Sequence, residues 1–215
     1  MKRDTRIHAT FPQTAWSSIC RIDDDPAERR RRLERLCKLY WRPVFTVVRL
    51  FHGLQDADAR DLTQSYFTWL LEGKVIEKFD PGRGRFRTFI RSTLTNHVRK
   101  AMRRRPPPGP QEDPGETLDR AWIAHVLDAA IEESRALLAR RGHDRAVDFM
   151  LRHDGASDSA TYASLARESG MTVARVQKEL RHARDCVREV VRERVRETVS
   201  NPEDLADELR FVFRG

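Results

Sequence analysis

Nine Lys/Arg residues and no acid lie between Arg83 and Arg105, with aromatic and apolar side chains threaded among them at helical spacing. The chain has 215 residues and a formal charge of +8, so this one stretch holds the whole excess and the remainder is close to neutral. On a helical wheel Phe86, Ile90, Leu94, Val98 and Ala101 fall on one side, the side that would face a core. Phe89 falls elsewhere, near Arg85, Asn96, Arg99 and Arg103. A basic ordered helix is the footprint of a protein that grips a polyanion. An aromatic ring among arginines suits stacking on an unpaired base while the cations hold phosphates, and an asparagine amide can read base edges. Phe89 could equally pack beneath a neighbouring helix, and Asn96 could be a plain surface residue. Both readings stay open at this point.

A second basic surface follows near the C-terminal end. Tyr162-Ala-Ser-Leu-Ala-Arg-Glu-Ser-Gly170-Met-Thr-Val-Ala-Arg-Val176 fits a helix-turn-helix. Ala166 is small where two helices would cross, and Gly170 can take the left-handed conformation that ends the first. Thr172 can cap the second helix, and Val176 and Leu180 return to the core. That helix would present Arg175, Lys178, Arg181, His182 and Arg184 outward, as a major-groove recognition helix does. An ordinary helical hairpin with a basic solvent face matches the same pattern, and Glu179 stands in the middle of that face.

The elements that must position these residues are helical throughout, so an all-α fold is expected. A helix from Pro26 to Tyr40 carries Leu33, Leu36, Cys37 and Tyr40 on one face. Pro43 opens another with Val44, Phe45, Val47, Val48 and Leu50, closed by Gly53. A third runs from Asp56 or Asp58 to Leu71 with Leu62, Tyr66, Phe67, Trp69 and Leu70. The loop Phe79–Arg85 precedes the basic helix, which starts near Arg85. The proline-rich run from Arg105 onward is an extended linker. Beyond it a helix from Leu118 to about Arg141 repeats apolar residues at 118, 122, 126, 130 and 137. A short helix at Ala146–Arg152 and the coupled pair to about Val199 follow. A last helix begins at Asn201-Pro202, with Leu205, Leu209 and Val212 on one side. This gives an N-terminal extension (1–25), a helical domain (26–105), a linker (106–117), a second helical domain (118–200) and a C-terminal helix (201–215).

With 39% hydrophobic and 34% charged residues, the composition suits two small helical units better than one large core. No apolar run is long enough to span a membrane, and residues 1–25 lack the apolar segment of a signal peptide. The three cysteines stand far apart, without a C-x-x-C pair, and the seven histidines are scattered. Neither a disulfide framework nor a metal site is expected, and a soluble protein of the reducing cytoplasm is. No nucleophile–base pair stands out, and Gly82-x-Gly84 lacks the strand that a phosphate-binding loop needs. The chain therefore reads as a non-enzyme without a cofactor.

Taken in order, these segments resemble a known family. Asp61-Leu-Thr-Gln64-Ser-Tyr-Phe67, then Phe79…Arg85-Phe-Arg-Thr-Phe89-Ile, then Asn96 and a basic tail resemble region 2 of extracytoplasmic-function (ECF) RNA polymerase sigma factors. The helix-turn-helix ending in Arg181-His182-Ala-Arg184 resembles their region 4. Phe11-Pro-Gln-Thr-Ala-Trp16, Leu118-Asp-Arg-Ala-Trp122 and Asp207-Glu-Leu-Arg210 are similar to a subgroup frequent in planctomycetes and related bacteria. The resemblance implies that Asp61, Gln64, Tyr66 and Phe67 dock on core RNA polymerase. It also implies that the Asp80–Arg85 loop holds a flipped base of the promoter −10 element and that the following helix grips the opened strand. Arg83, Arg85, Phe86, Arg87, Phe89, Asn96, Arg99 and Arg103 are the candidates there. Arg175, Lys178, Arg181, His182 and Arg184 would read the −35 element. The partners implied are core polymerase and promoter DNA, with an anti-sigma factor left open and no membrane. Lys100, where family members often carry an acid, and Lys178, where they often carry a small residue, depart from the pattern. The rival reading is a stand-alone helix-turn-helix regulator of transcription.

Overall fold

A computed structural model describes residues 26–72, 75–79, 85–102, 113–155, 159–199 and 201–214. Among them every regular element is helical, as expected. The elements are α1 (Pro26–His52), α2 (Asp56–Glu72), a 3-10 turn (Ile76–Lys78), α3 (Phe86–Met102), α4 (Pro114–Ala139), α5 (Ala146–Asp154), α6 (Tyr162–Ser169), α7 (Val173–Arg196) and α8 (Pro202–Arg214). The chain divides into two compact units, Met1–Trp122 with Val195–Gly215, and Ile123–Arg194. The N-terminal extension, the Asp80–Gly84 loop and most of the proposed linker lie outside the described residues.

In the first unit the expected break at Pro43 does not occur: α1 runs through it as one helix. An interior proline removes one backbone hydrogen bond and costs about 3 kcal/mol. Here Tyr40, Val44, Val47, Val48 and Phe51 form one buried stripe across it, spaced at four, three, one and three residues. Burying each such side chain returns roughly 1.5–3 kcal/mol, which outweighs the lost bond. Leu50 faces solvent. Gly53 takes φ +57° and ends α1, with the Leu54 amide donating to the Arg49 carbonyl at 3.3 Å.

The basic helix α3 packs as its periodicity predicts, with Phe86, Ile90, Leu94 and Val98 all buried. The Ala101 side chain lies outside the described set. Tyr66 of α2 meets α3 at Thr93 and His97, Phe79 packs on Phe86, and Phe67, Leu70 and Ile76 are buried as well. The Thr93 hydroxyl donates to the Phe89 carbonyl at 2.9 Å, so the Tyr66 phenol must be the donor to Thr93 Oγ1 at 2.8 Å. Burial pushes the Tyr66 phenol well above its ordinary range, which keeps that donor neutral.

α4 begins at Pro114, four residues before the expected start. Asp113 Oδ1 accepts from the amides of Gly115 and Glu116 at 2.8 and 3.2 Å, with proline in the first helical position. The buried positions Leu118, Trp122, Val126, Ala130, Ser134 and Leu138 repeat every four residues, so Leu138 rather than Leu137 continues the stripe. In the second unit Phe149, Leu165, Ala166, Val176 and Leu180 form one cluster that ties α5, α6 and α7 together.

The α6–α7 turn follows its sequence signals closely. Thr161 Oγ1 accepts from the Ser164 amide at 3.1 Å to cap α6, and Thr172 Oγ1 accepts from the Arg175 amide at 3.2 Å to cap α7. Gly170 between them sits at φ +69°, and an added Cβ there would meet nothing within 4 Å. Gly170→Ala should therefore cost only the backbone term, about 1–2 kcal/mol. Chemical denaturation would show it as a shift in midpoint with an unchanged slope.

Candidate nucleic-acid interface

The residues proposed for α3 and the segment before it fall into three groups. Arg83 and Arg103 lie outside the described residues. Asn96 and Arg99 are exposed on the outer face of α3, with Arg99 3.5 Å from Asp113. Phe86 is core, and its ring meets Tyr40 edge-on at 5.2 Å. Phe89 takes neither extreme of the two readings: it is half-buried, 5.3 Å from the Phe79 ring and 5.8 Å from Phe86.

Arg85 and Arg87 lie among acids from outside the basic segment. Arg85 meets three carboxylates of α8: Nε to Asp204 Oδ1 at 3.0 Å, Nη2 to Asp207 Oδ2 at 2.5 Å and Nη1 to Glu208 Oε1 at 3.2 Å. Arg87, only 8% exposed, donates to both oxygens of Glu208 at 2.9 and 3.1 Å and to Asp119. Its guanidinium also lies 4.0 Å from the Phe211 ring centre and 5.5 Å from Trp122. Burial works against the charge on both arginines, yet the facing carboxylates hold both guanidiniums above their ordinary range. Asp119 also bonds Arg91 Nη1 at 2.8 Å. The carboxylates that neutralise this end of the basic helix thus come from α4 and α8.

On α2 the four residues proposed to dock on a protein divide evenly. Asp61 and Gln64 are exposed, three positions apart and so on one face. Tyr66 and Phe67 are buried, and Phe67 stacks on Trp41 at 5.6 Å. They support that face from behind. Trp69, 41% exposed, adds an aromatic surface.

In the second unit, Arg175, Lys178 and Arg181 are exposed on α7. Arg184 is instead held by Asp154, with Nε and Nη2 at 3.0 and 2.6 Å from the two carboxylate oxygens. That hydrogen bonding raises its pKa further and lowers that of Asp154. Glu179 does not interrupt the basic face: it is 2% exposed and turned inward. Its carboxylate is 2.8 Å from His143 Nδ1 and 2.7 Å from Arg175 Nε. His182 Nδ1 is 3.1 Å from His143 Nε2. Gly142 at φ +79° ends α4, where the His143 amide donates to the Leu138 carbonyl at 2.9 Å.

Two of the scattered histidines thus meet around a buried acid, and the three ligand atoms all lie within 4.8 Å of one another. Two histidines and a carboxylate form a donor set that zinc accepts. The three groups also lie within hydrogen-bonding distance of one another as a chain, His182 to His143 and His143 to Glu179.

Residues 36–106, from the middle of α1 past the end of α3, match the family model described as sigma-70 region 2. The match supports a sigma-70-family sigma factor with a role in transcription initiation. No curated protein and no solved structure matches the chain significantly. No helix among the described residues is long and apolar enough to cross a membrane.

The region 2 match ends before the acids that meet its arginines. Asp119, Asp204, Asp207 and Glu208 all lie beyond residue 106. Sequence reasoning missed these partners because they stand up to 123 positions from Arg85. One signal was available: Asp204, Asp207 and Glu208 fall at i, i+3 and i+4, one acidic face on a short helix.

Proposed function

We propose that this chain is an ECF-type sigma factor, of the planctomycete-like subgroup, that binds core RNA polymerase and directs it to a subset of promoters. The observation that carries this reading is the region 2 match over residues 36–106, followed in the chain by a capped two-helix turn with an outward basic face. In this reading residues 26–105 form the region 2 domain, 106–117 the linker, 118–200 a region 4-like helix-turn-helix domain and 201–215 a terminal helix. Asp61 and Gln64 face the polymerase, with Tyr66 and Phe67 behind them. The Asp80–Arg85 loop and α3 hold the opened −10 strand, through Arg85, Phe89, Asn96 and Arg99 together with Arg83 and Arg103, while Phe86 and Arg87 shape that surface from within. Arg175, Lys178 and Arg181 read the −35 element in the major groove, flanked by His182 and Arg184. The protein works in the cytoplasm, performs no chemistry of its own, and takes polymerase and promoter DNA as its partners.

The test is co-purification with core polymerase followed by run-off transcription on genomic fragments. Discrete start sites that require the protein are expected. Tight, specific duplex binding by a dimer without polymerase would instead establish the stand-alone regulator. Within the same assay Arg181→Ala should cost about 1–3 kcal/mol and relax preference at one position of the upstream element. A uniform loss across all sequences would make Arg181 a phosphate contact.

A further inference from the structure

We propose that α8 is an intramolecular competitor for the DNA strand, an acidic strap whose carboxylates occupy the Arg85 guanidinium until a single strand displaces them. This rests on the proposed role of the first turn of α3 in holding the opened strand. Each of the three guanidinium nitrogens of Arg85 faces a carboxylate oxygen of α8, at 3.0, 2.5 and 3.2 Å. A phosphate recognised by arginine uses the same fork of donors. As long as α8 is docked, three of the five N–H donors of Arg85 are engaged, at least one on each nitrogen.

The strap is built to release. Asp204 and Asp207 are partly exposed, as is Arg85, so each of their ion pairs is individually weak and screened by salt. α8 has 13 residues, a length at which an isolated helix is marginal in water, so it depends on what it docks against. Its anchors are Leu205 and Val212, which are buried, and Phe211, which lies beneath Arg87. Asn201 caps it through the Asp204 amide at 2.8 Å. Arg87 is held differently, because Asp119 of α4 stays with it when α8 leaves. The exchangeable contact is therefore Arg85 with Asp204 and Asp207, while Glu208 bonds both arginines.

The experiment uses the full chain and a short, labelled single-stranded DNA followed by fluorescence anisotropy. Asp204→Asn with Asp207→Asn removes two charges and leaves the apolar docking and the Arg87–Glu208 bonds in place. The double variant should keep its helicity and bind the strand about five- to tenfold tighter at low salt, the gain expected from removing two exposed ion pairs. In an Arg85→Ala background the same two substitutions should give no gain. In the wild-type chain, amide exchange in α8 should quicken when the strand is added. A gain that persists without Arg85 would be a bulk charge effect and would overturn the strap. So would an unchanged affinity in the double variant while Arg85→Ala weakens binding; the strand-holding role of α3 would then stand alone. If Arg85→Ala alters neither binding nor run-off transcription, Arg85 is no strand contact and the strap falls, while the sigma-factor reading survives. Absence of any polymerase-dependent transcription would bring down that reading too.

Discussion

Replacing Arg87 with alanine should destabilise the first unit by about 3–5 kcal/mol, the cost of removing one partner from a buried ion pair. The Arg87 side chain is 9% exposed, and its two acid partners, Asp119 and Glu208, are 11% and 1% exposed. Without the guanidinium both carboxylates remain desolvated with their main counter-charge gone. Among the described residues Glu208 would keep only Arg85, at 3.2 Å, and Asp119 only Arg91, at 2.8 Å, as ion-pair partners. Loss of the cation between the Phe211 and Trp122 rings adds to the deficit. Combining Arg87→Met with Asp119→Asn and Glu208→Gln should recover much of the loss, since buried ion pairs replaced as a set cost far less than a single orphaned charge. Chemical denaturation of the single and combined variants measures both quantities. A loss below about 1 kcal/mol for Arg87→Ala would show that water reaches these carboxylates and that the network adds little.

How far the sequence alone disclosed this arrangement depends on the range of each interaction. The core face of α3 was legible because Phe86, Ile90, Leu94 and Val98 repeat every four residues and all four are buried. The α6–α7 turn was legible too, since its caps and the left-handed Gly170 involve neighbours a few positions apart. Local chemistry misled at Pro43, where a continuous apolar stripe outweighed one missing amide. It misled again at Glu179, which looked like a flaw in a basic face yet turns inward toward His143. That contact joins residues 36 positions apart, and spacing within a helix cannot announce it. The same limit hid the acids around Arg85 and Arg87. A run of arginines without local counter-charges reads as free for DNA, whereas α8 returns from the far end of the chain to meet its first turn.

For the candidate site as a whole, the residue types were therefore more legible than their availability. Arg175, Lys178 and Arg181 are exposed as expected, while Arg184 is bound to Asp154. On α2 the division between exposed Asp61 and Gln64 and buried Tyr66 and Phe67 required the packing of α1 and α3 around it. That division decides which substitutions are informative. Altering Tyr66 or Phe67 would open the core and abolish any interface by unfolding it.

Asp61→Arg with Gln64→Ala should abolish association with core polymerase and leave the fold unaltered. Both side chains are exposed on one face of α2, and surface changes of this kind usually fall within about 0.5 kcal/mol of neutral stability. A polymerase surface complementary to Asp56, Asp58 and Asp61 would be basic, so an arginine placed at its centre sets like charges against each other at a cost of several kcal/mol. Each 1.4 kcal/mol is about a tenfold loss in affinity, which takes an ordinary complex below detection by co-elution. Far-UV circular dichroism and melting temperature should match the wild type, and single-strand binding at α3 should persist, because Asn96 and Arg99 lie on another helix and Arg85 directly before it. The double variant therefore separates the proposed polymerase-binding face from the proposed strand-binding face. Co-elution with core polymerase at undiminished affinity would remove α2 from the interface. Loss of polymerase binding together with loss of strand binding would mean that the two faces are not independent.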